Sequence, residues 1–337
     1  MAGRAGKRRP VNRAGPEGPP ASAAGDGEPG SLVLHPVPPF DLDLSASIFS
    51  GGDPGIRSYR DGVFSQVIRA AGQLVLVTVT MEGNDDNPVL KVRVRPLPDR
   101  PGVLGAAGRA VGTLFNLGLD LAPFISAVRD DPVMTAIARR LRGLKPPRTA
   151  TLFEALVDSI VEQQVSLTAA RSMEERLIRH FGETLELEGK IYHAFPSPER
   201  LAGGSPGEFR ACGLSGKKAE YIAGIARLVR QGNLDLEHHG PGEETADIVR
   251  ELTALRGVGV WTAELAVLRG LSRLDAIPAD DLGIRRAITR YYGRASRIDT
   301  AEARRIAEAW GAWRGLAAYY LLVAERIGIG PGDRETG

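Results

Sequence analysis

The hydrophobic period of this chain changes near residue 110, and that change limits the folds open to it more than any other feature. Between residues 32 and 95 the pattern is strand-like. Residues 63–69 and 74–81 are β-branched runs separated by Ala-Ala-Gly-Gln, which reads as a hairpin. The polar, turn-prone segment 83–88, Gly-Asn-Asp-Asp-Asn-Pro, leads into 89–95, where apolar and basic residues alternate as in a half-buried strand. Beyond residue 110 the chain reads almost wholly helical. Thr151 and Glu154 form a capping-box pair ahead of Phe153, Leu156, Val157, Ile160 and Val161 at helical spacing. Ser197-Pro198 and Ser205-Pro206 mark two further starts. A helix over 217–231 is stopped by Gly232. Helices over 245–254 and 261–269 flank a short glycine turn, and Gly270 is expected to end the second. The last helices fall near 284–292, 301–309 and 313–326. The pattern gives an α+β chain with a small N-terminal antiparallel β-sheet domain (31–110) followed by a mainly α-helical core (111–330). Residues 1–30, rich in Gly, Pro and Ala, read as a disordered basic tail.

Charge and cysteine content exclude several classes. The formal net charge is +2, and residues 1–30 account for it, so the rest of the chain is balanced. If the body binds nucleic acid, local geometry must do most of the work, with the tail adding either non-specific attraction or only solubility. A single cysteine, Cys212, rules out a disulfide framework, a multi-cysteine zinc site and a cysteine-ligated iron–sulfur cluster within the chain. No run approaches the roughly 18 apolar residues of a membrane span, and the basic N-terminus lacks the apolar stretch of a secretory signal. A cytoplasmic location without membrane attachment is expected.

The most informative segment is Leu255-Arg-Gly-Val-Gly-Val-Trp-Thr-Ala263. Gly257 and Gly259 let the backbone turn sharply between two helices and leave its amides unshielded. The second helix then presents free N–H groups and its positive dipole end to one point, which makes a phosphate seat. An ordinary helical corner would use the same residues. About twenty residues on, Pro278-Ala-Asp-Asp-Leu-Gly283 places Asp280 and Asp281 just before a helix, where one of them can cap free amides.

Together these two segments resemble the helix-hairpin-helix plus Gly/Pro-Asp signature of the base-excision DNA glycosylase superfamily, within it the bacterial 3-methyladenine DNA glycosylase II family. The resemblance extends to Glu154–Ser166, to Leu214-Ser-Gly-Lys-Lys-Ala219, to Trp310-Gly-Ala-Trp-Arg314 and to Pro39-Phe-Asp41, and covers roughly residues 35–328. It implies a helical core of two subdomains around a cleft, and a monomer that flips damaged bases from double-stranded DNA in the bacterial cytoplasm, at the nucleoid. Asp281 falls at the family's catalytic carboxylate. Gly257, Val258, Gly259 and Thr262 fall on the hairpin that grips a phosphate. Gln164 falls in the loop that fills the gap left by the flipped base, although a helix-end amide with local bonds is the alternative. Arg285 and Arg286 follow Asp281 closely enough to reach a phosphate, and Lys217 and Lys218 share that ambiguity with a solvated face. The resemblance requires no cofactor but implies Na+ or K+ at the carbonyls of Thr253, Leu255 and Val258.

The chemistry so implied is hydrolysis of the N-glycosidic bond of alkylated purines. Their positive charge makes them good leaving groups, so one anion beside the sugar suffices. In relatives that also cut the strand, a lysine stands where this chain has Trp261, and a Schiff base needs an amine. Trp261 also keeps one aromatic of the base pocket, while Leu265, Leu282, Leu322 and Ile48 stand where the bacterial relative has aromatics. Tyr319, Tyr320 and Phe49 are alternatives for that role, each also readable as core. Two other functions stay open: a bifunctional 8-oxoguanine-type glycosylase/lyase, against which Trp261 argues, and a non-catalytic DNA-structure binder, against which Asp281 argues.

Overall fold

A computed structural model describes residues 28–330. Its N-terminal layer is a five-stranded antiparallel sheet of β1 (Ser31–Leu34), β2 (Arg57–Arg60), β3 (Val63–Ala70), β4 (Gln73–Asn84) and β5 (Asn87–Arg95), in spatial order β1-β5-β4-β3-β2. The expected hairpins are present and tighter than the sequence suggested. Ala71-Gly72 alone turns β3 into β4, both at positive φ. The segment 83–88 is mostly strand, with only Asp85-Asp86 in the turn, and Gly83 pairs with Pro88. In β5 side chains alternate between buried and less buried, and Leu90, Val92 and Val94 join Val75, Val77 and Val79 of β4 against the helix Val103–Leu114. This helix and the residues up to Leu117 share the sheet's core, so the packing of the β-layer runs past the break in pattern at residue 110.

The helical body has two cores. The first gathers helices Leu152–Glu162, Leu167–Phe181, Gly216–Arg230 and Thr245–Thr253 with part of Val260–Leu271. The second is discontinuous in sequence. Residues 119–144, including helix Pro132–Arg140, pack with helices Leu282–Tyr291, Thr300–Ala307 and Arg314–Arg326. Here Trp310 is wholly buried, and its indole N–H and the hydroxyl of Tyr292 both donate to the Asp131 carboxylate. The helix starts follow the sequence. Ser205 and Glu208 make a reciprocal capping box. At Thr151 the hydroxyl accepts from the Glu154 amide, but the Glu154 carboxylate reaches Ala150 instead of the cap.

Two features depart from the sequence reading. The first is a separate two-stranded hairpin, Thr184–Leu187 with Lys190–His193, inside a region that reads as helical. Its Glu188-Gly189 turn has both φ angles positive, and its apolar residues cover the outer face of the large sheet at Val67 and Leu76. The second is Gly270, which does not end its helix. The helix runs to Leu271 and is closed by Ser272 in the left-handed conformation. Gly270 is instead where this helix crosses Leu152–Glu162, since a Cβ there would lie 3.0 Å from the Cα of Leu152.

The layers are stitched by Lys145, whose side chain is fully buried. Its Nζ donates to the carbonyls of Val37 (2.7 Å) and Leu117 (3.1 Å), and its amide donates to the Ser45 hydroxyl. Burial lowers its pKa from the usual 10.5 to about 7. The unfolded chain therefore binds more protons than the folded one between pH 7 and 10.5, and stability rises with pH through that window. In urea titrations, wild type should gain stability relative to Lys145→Met from pH 7 to pH 10, and an unchanging difference would contradict this.

Candidate active site

A cleft of about 1720 Å³ lies between the two helical cores. On one wall, helix Thr245–Thr253 ends and the chain passes through Leu255–Val258 into helix Val260–Leu271. Gly257 is required twice over. Its φ is +89°, and a Cβ there would sit 2.1 Å from the ring of Tyr221. Gly259 has an ordinary extended backbone and open space around its missing side chain. It is the N-cap of the helix, and no side chain caps the amides that follow, so they remain available to an anion. Val260 stands half exposed beside them.

The hairpin is held by a residue the sequence reading passed over. Gln163 Nε2 donates to the Gly257 carbonyl (2.9 Å) and to Thr262 Oγ1 (3.0 Å), so Thr262 is buried in the scaffold of the turn. Its neighbour Gln164 is exposed on the cleft, with φ at +56°. An exposed non-glycine residue in that conformation carries local strain that the surrounding loop sustains. The Gln163-Gln164 pair was the available signal, but only the structure separates a residue facing the hairpin from one facing the cleft.

The carbonyls of Thr253 and Val258 accept no hydrogen bond among the described residues apart from those within the helices, and Leu255 accepts one, from the Val258 amide. Each of these carbonyls therefore keeps a spare lone pair.

Opposite, Pro278 begins a tight turn in which the Asp281 amide donates back to the Pro278 carbonyl. Asp281 is the N-cap of helix Leu282–Tyr291. Its Oδ1 accepts from the amides of Gly283 (2.7 Å) and Ile284 (3.0 Å), while Oδ2 has no hydrogen-bond partner among the described residues. Gly283 makes room for this, because a Cβ there would lie 2.9 Å from Oδ1. Asp280 is exposed and receives the Thr300 hydroxyl. Arg286 lines the cleft and makes two 3.0 Å bonds to Glu325 while remaining 68% exposed. Arg285 does not line the cleft, and one of its guanidinium nitrogens turns back to the Asp280 carbonyl. Lys218 donates to the Val161 carbonyl at the end of its helix and is buried, whereas Lys217 is exposed on the cleft.

Trp261, Leu265, Leu282, Leu322 and Ile48 all line the cleft, as does Tyr319. Leu265 is buried, and Leu282 is 57% exposed at the rim. Ile48 comes from the β-layer, its carbonyl fixed by Arg171 at 2.8 Å. Among the alternative aromatics, Tyr320 is core, bonded to the Leu144 carbonyl, and Phe49 packs under Arg57 against the sheet. Tyr319 is the one that reaches the cleft. Its hydroxyl is buried without a partner, and burial pushes its pKa up to about 12, so it is a neutral donor at ordinary pH. Glu162 and Arg269 form a two-bond ion pair (2.6 and 3.1 Å) in the cleft wall.

Residues 157–312 match the family described as HhH-GPD superfamily base excision DNA repair protein. The chain is 34% identical over 207 residues to the DNA-3-methyladenine glycosylase of Bacillus subtilis, covering 61% of this chain and 68% of that protein. It belongs to the HhH-GPD superfamily. DNA-3-methyladenine glycosylase 2 of Escherichia coli is 32% identical over 183 residues, which span 54% of this chain and 61% of that one. The fold also matches the 3-methyladenine DNA glycosylase of Archaeoglobus fulgidus, with a TM-score of 0.75 at 23% identity over 88% of this chain and 99% of that one. No helix among the described residues is long and apolar enough to cross a membrane.

The two glycines of this HhH-GPD hairpin should behave differently. Gly257→Ala is expected to cost roughly 2–4 kcal/mol through positive φ and overlap with Tyr221, while Gly259→Ala should stay within about 0.5–1 kcal/mol of wild type. Thermal unfolding of the two variants checks the contrast, and equal losses would refute it.

Proposed function

We propose that this chain is a monofunctional DNA glycosylase that removes alkylated purines of the 3-methyladenine and 7-methylguanine type from double-stranded DNA. The observation that carries the reading is the Asp281 carboxylate, with Oδ1 fixed by two helix amides and Oδ2 unpartnered, in a largely apolar cleft facing an uncapped hairpin helix. The hairpin amides take the DNA phosphate, with Na+ or K+ at the Thr253, Leu255 and Val258 carbonyls adding positive charge there. Gln164 enters the gap left by the extruded base, and a damaged, weakly paired base costs least to extrude. Trp261, Leu265, Leu322 and Ile48 enclose the flat base with Leu282 at the rim, and Arg286 lies near enough to meet the backbone.

As the C1′–N bond lengthens, its electron pair leaves with the base and neutralises the positive charge that alkylation placed there. Asp281 stabilises the cationic sugar left behind. Water then adds to C1′ and loses a proton, giving free methylated purine and an intact abasic strand. With Trp261 in place of an amine, no Schiff base forms and the strand is not cut. The leucine-lined pocket offers less cation–π attraction than an aromatic one, which favours labile lesions.

Asp281→Asn preserves the helix cap and should leave stability within about 1 kcal/mol. Release of methylated purine from alkylated duplex should fall by at least about 10²–10³-fold, with no strand nicking in either protein before alkali. Unchanged release in the variant would sink the assignment. Nicking by wild type without alkali would favour the glycosylase/lyase, and duplex binding without release in either protein would favour a pure DNA binder.

A further inference from the structure

Ahead of the hairpin, and outside the cleft lining, His238, His239, Glu243 and Glu251 place one ligand-type atom each within 4.8 Å of one another. Glu251 belongs to helix Thr245–Thr253, the first helix of the hairpin, and the other three precede that helix. The protons on the two imidazoles are assigned by their surroundings. His238 Nδ1 faces the carbonyl of Asp235, which can only accept. His239 Nδ1 faces both oxygens of Glu243 (3.2 and 3.3 Å), and the same carboxylate also receives the Gly240 amide. Each neutral ring therefore carries its proton on Nδ1 and presents a bare lone pair at Nε2.

Both Nε2 atoms turn toward Glu251. His238 Nε2 lies 3.7 Å from one carboxylate oxygen, and His239 Nε2 lies 4.0 Å from the other. Neither distance is a hydrogen bond. The His239 side chain is fully buried, and its Nε2 has no partner among the described residues. With both rings neutral, three acceptors converge, an arrangement that costs energy until a proton or a metal ion occupies the centre. Ligand atoms around a tetrahedral zinc ion, at bonds of roughly 2.0–2.1 Å, stand about 3.3 Å apart. The two imidazole–carboxylate separations of 3.7 and 4.0 Å exceed that by about 0.4 and 0.7 Å.

We propose that His238 Nε2, His239 Nε2 and Glu251 bind a divalent transition-metal ion, zinc foremost, with Glu243 as the carboxylate that orients His239. Two imidazoles favour zinc over the hard ions that prefer oxygen alone. A carboxylate or carbonyl on the far nitrogen of each ligating histidine is the usual support for such a site. With three protein ligands, the fourth position is left to water. The ion ties the segment from Asp235 to Glu243 onto the first hairpin helix. Arg273, just past the second hairpin helix, already holds the carbonyls of Gly240, Pro241 and Glu243. The site is thus structural, a clasp across the base of the helix-hairpin-helix unit, and it stands independently of the proposed glycosylase activity.

The test uses the untagged full chain stripped with a chelator and titrated calorimetrically with Zn2+. One ion per chain, a higher thermal midpoint and slower amide exchange over residues 245–258 are expected, and Co2+ should give the visible absorption of a low-coordinate site. His239→Gln and Glu251→Gln should weaken Zn2+ binding by about a hundredfold or more, and Glu243→Gln by roughly ten- to a hundredfold. His180→Gln, at a surface histidine paired with Glu208, should change nothing. If His239→Gln does not fold, His238→Gln at the more exposed ligand carries the same expectation. Absence of stoichiometric Zn2+ uptake by wild type, or equal losses in His180→Gln and the ligand variants, overturns the proposal.

Discussion

The Val260–Leu271 helix belongs to both helical cores at once, and the cleft depends on that double membership. Ala263, Ala266 and Val267 pack into the first core, and Leu268 touches both. Gly270 allows the backbone to press against Leu152, where no side chain could be tolerated without movement. On its other side Glu264, buried, takes two bonds from Arg304, which also reaches the Ile277 carbonyl in the segment leading to Asp281. One rigid element therefore carries the uncapped amides at its tip and Leu265 along its flank, and is tied to the loop that presents Asp281. Displacing it would disturb the uncapped amides and the cleft wall together.

The electrostatic design is local. A body with balanced charge attracts DNA only weakly at long range, so its useful field comes from oriented groups at short range. The helix beginning at Leu282 serves Asp281 in this way. Its amides fix one carboxylate oxygen and leave the other without competition from protein donors. Beneath the cleft, burial raises the pKa of Glu154 and Asp158, while Arg57 works in the opposite direction on both. Arg269 is only partly buried, and Glu162 more than offsets the desolvation by holding its guanidinium charged. Within the cleft wall the Glu162–Arg269 pair is thus compensated, and removing one partner leaves a partly buried charge unpaired.

Much of this was legible in the sequence because it was encoded locally. Glycines flanking one valine, an aspartate before a helix start, and alternating valines in β4 and β5 each act within a few residues of themselves. What was not legible depends on partners distant in the chain. Gln163 and Gln164 are chemically identical neighbours, and only the position of the hairpin some ninety residues on separates their roles. Tyr319 and Tyr320 differ by one helical step, which sends one to the cleft and the other to the Leu144 carbonyl. The Thr184–Leu187 strand was missed because its apolar residues make a weak pattern alone and gain meaning only against the outer face of the large sheet. Gly270 was misread because a helix-ending glycine and a helix-crossing glycine look the same until the second helix is in place.

The discontinuity of the second helical core has a consequence for how the molecule comes into being. Residues 119–144 emerge early from a ribosome but find their partners only when residues 274–324 follow. Closing so long a loop is slow compared with packing the first core, whose members are nearer in sequence. During synthesis the Gly257–Gly259 turn can therefore be complete while the wall bearing Asp281 and Tyr319 is still unassembled. The two walls of the cleft are thus completed at different times, and the one that carries the Asp281 carboxylate is the last part of the fold to close.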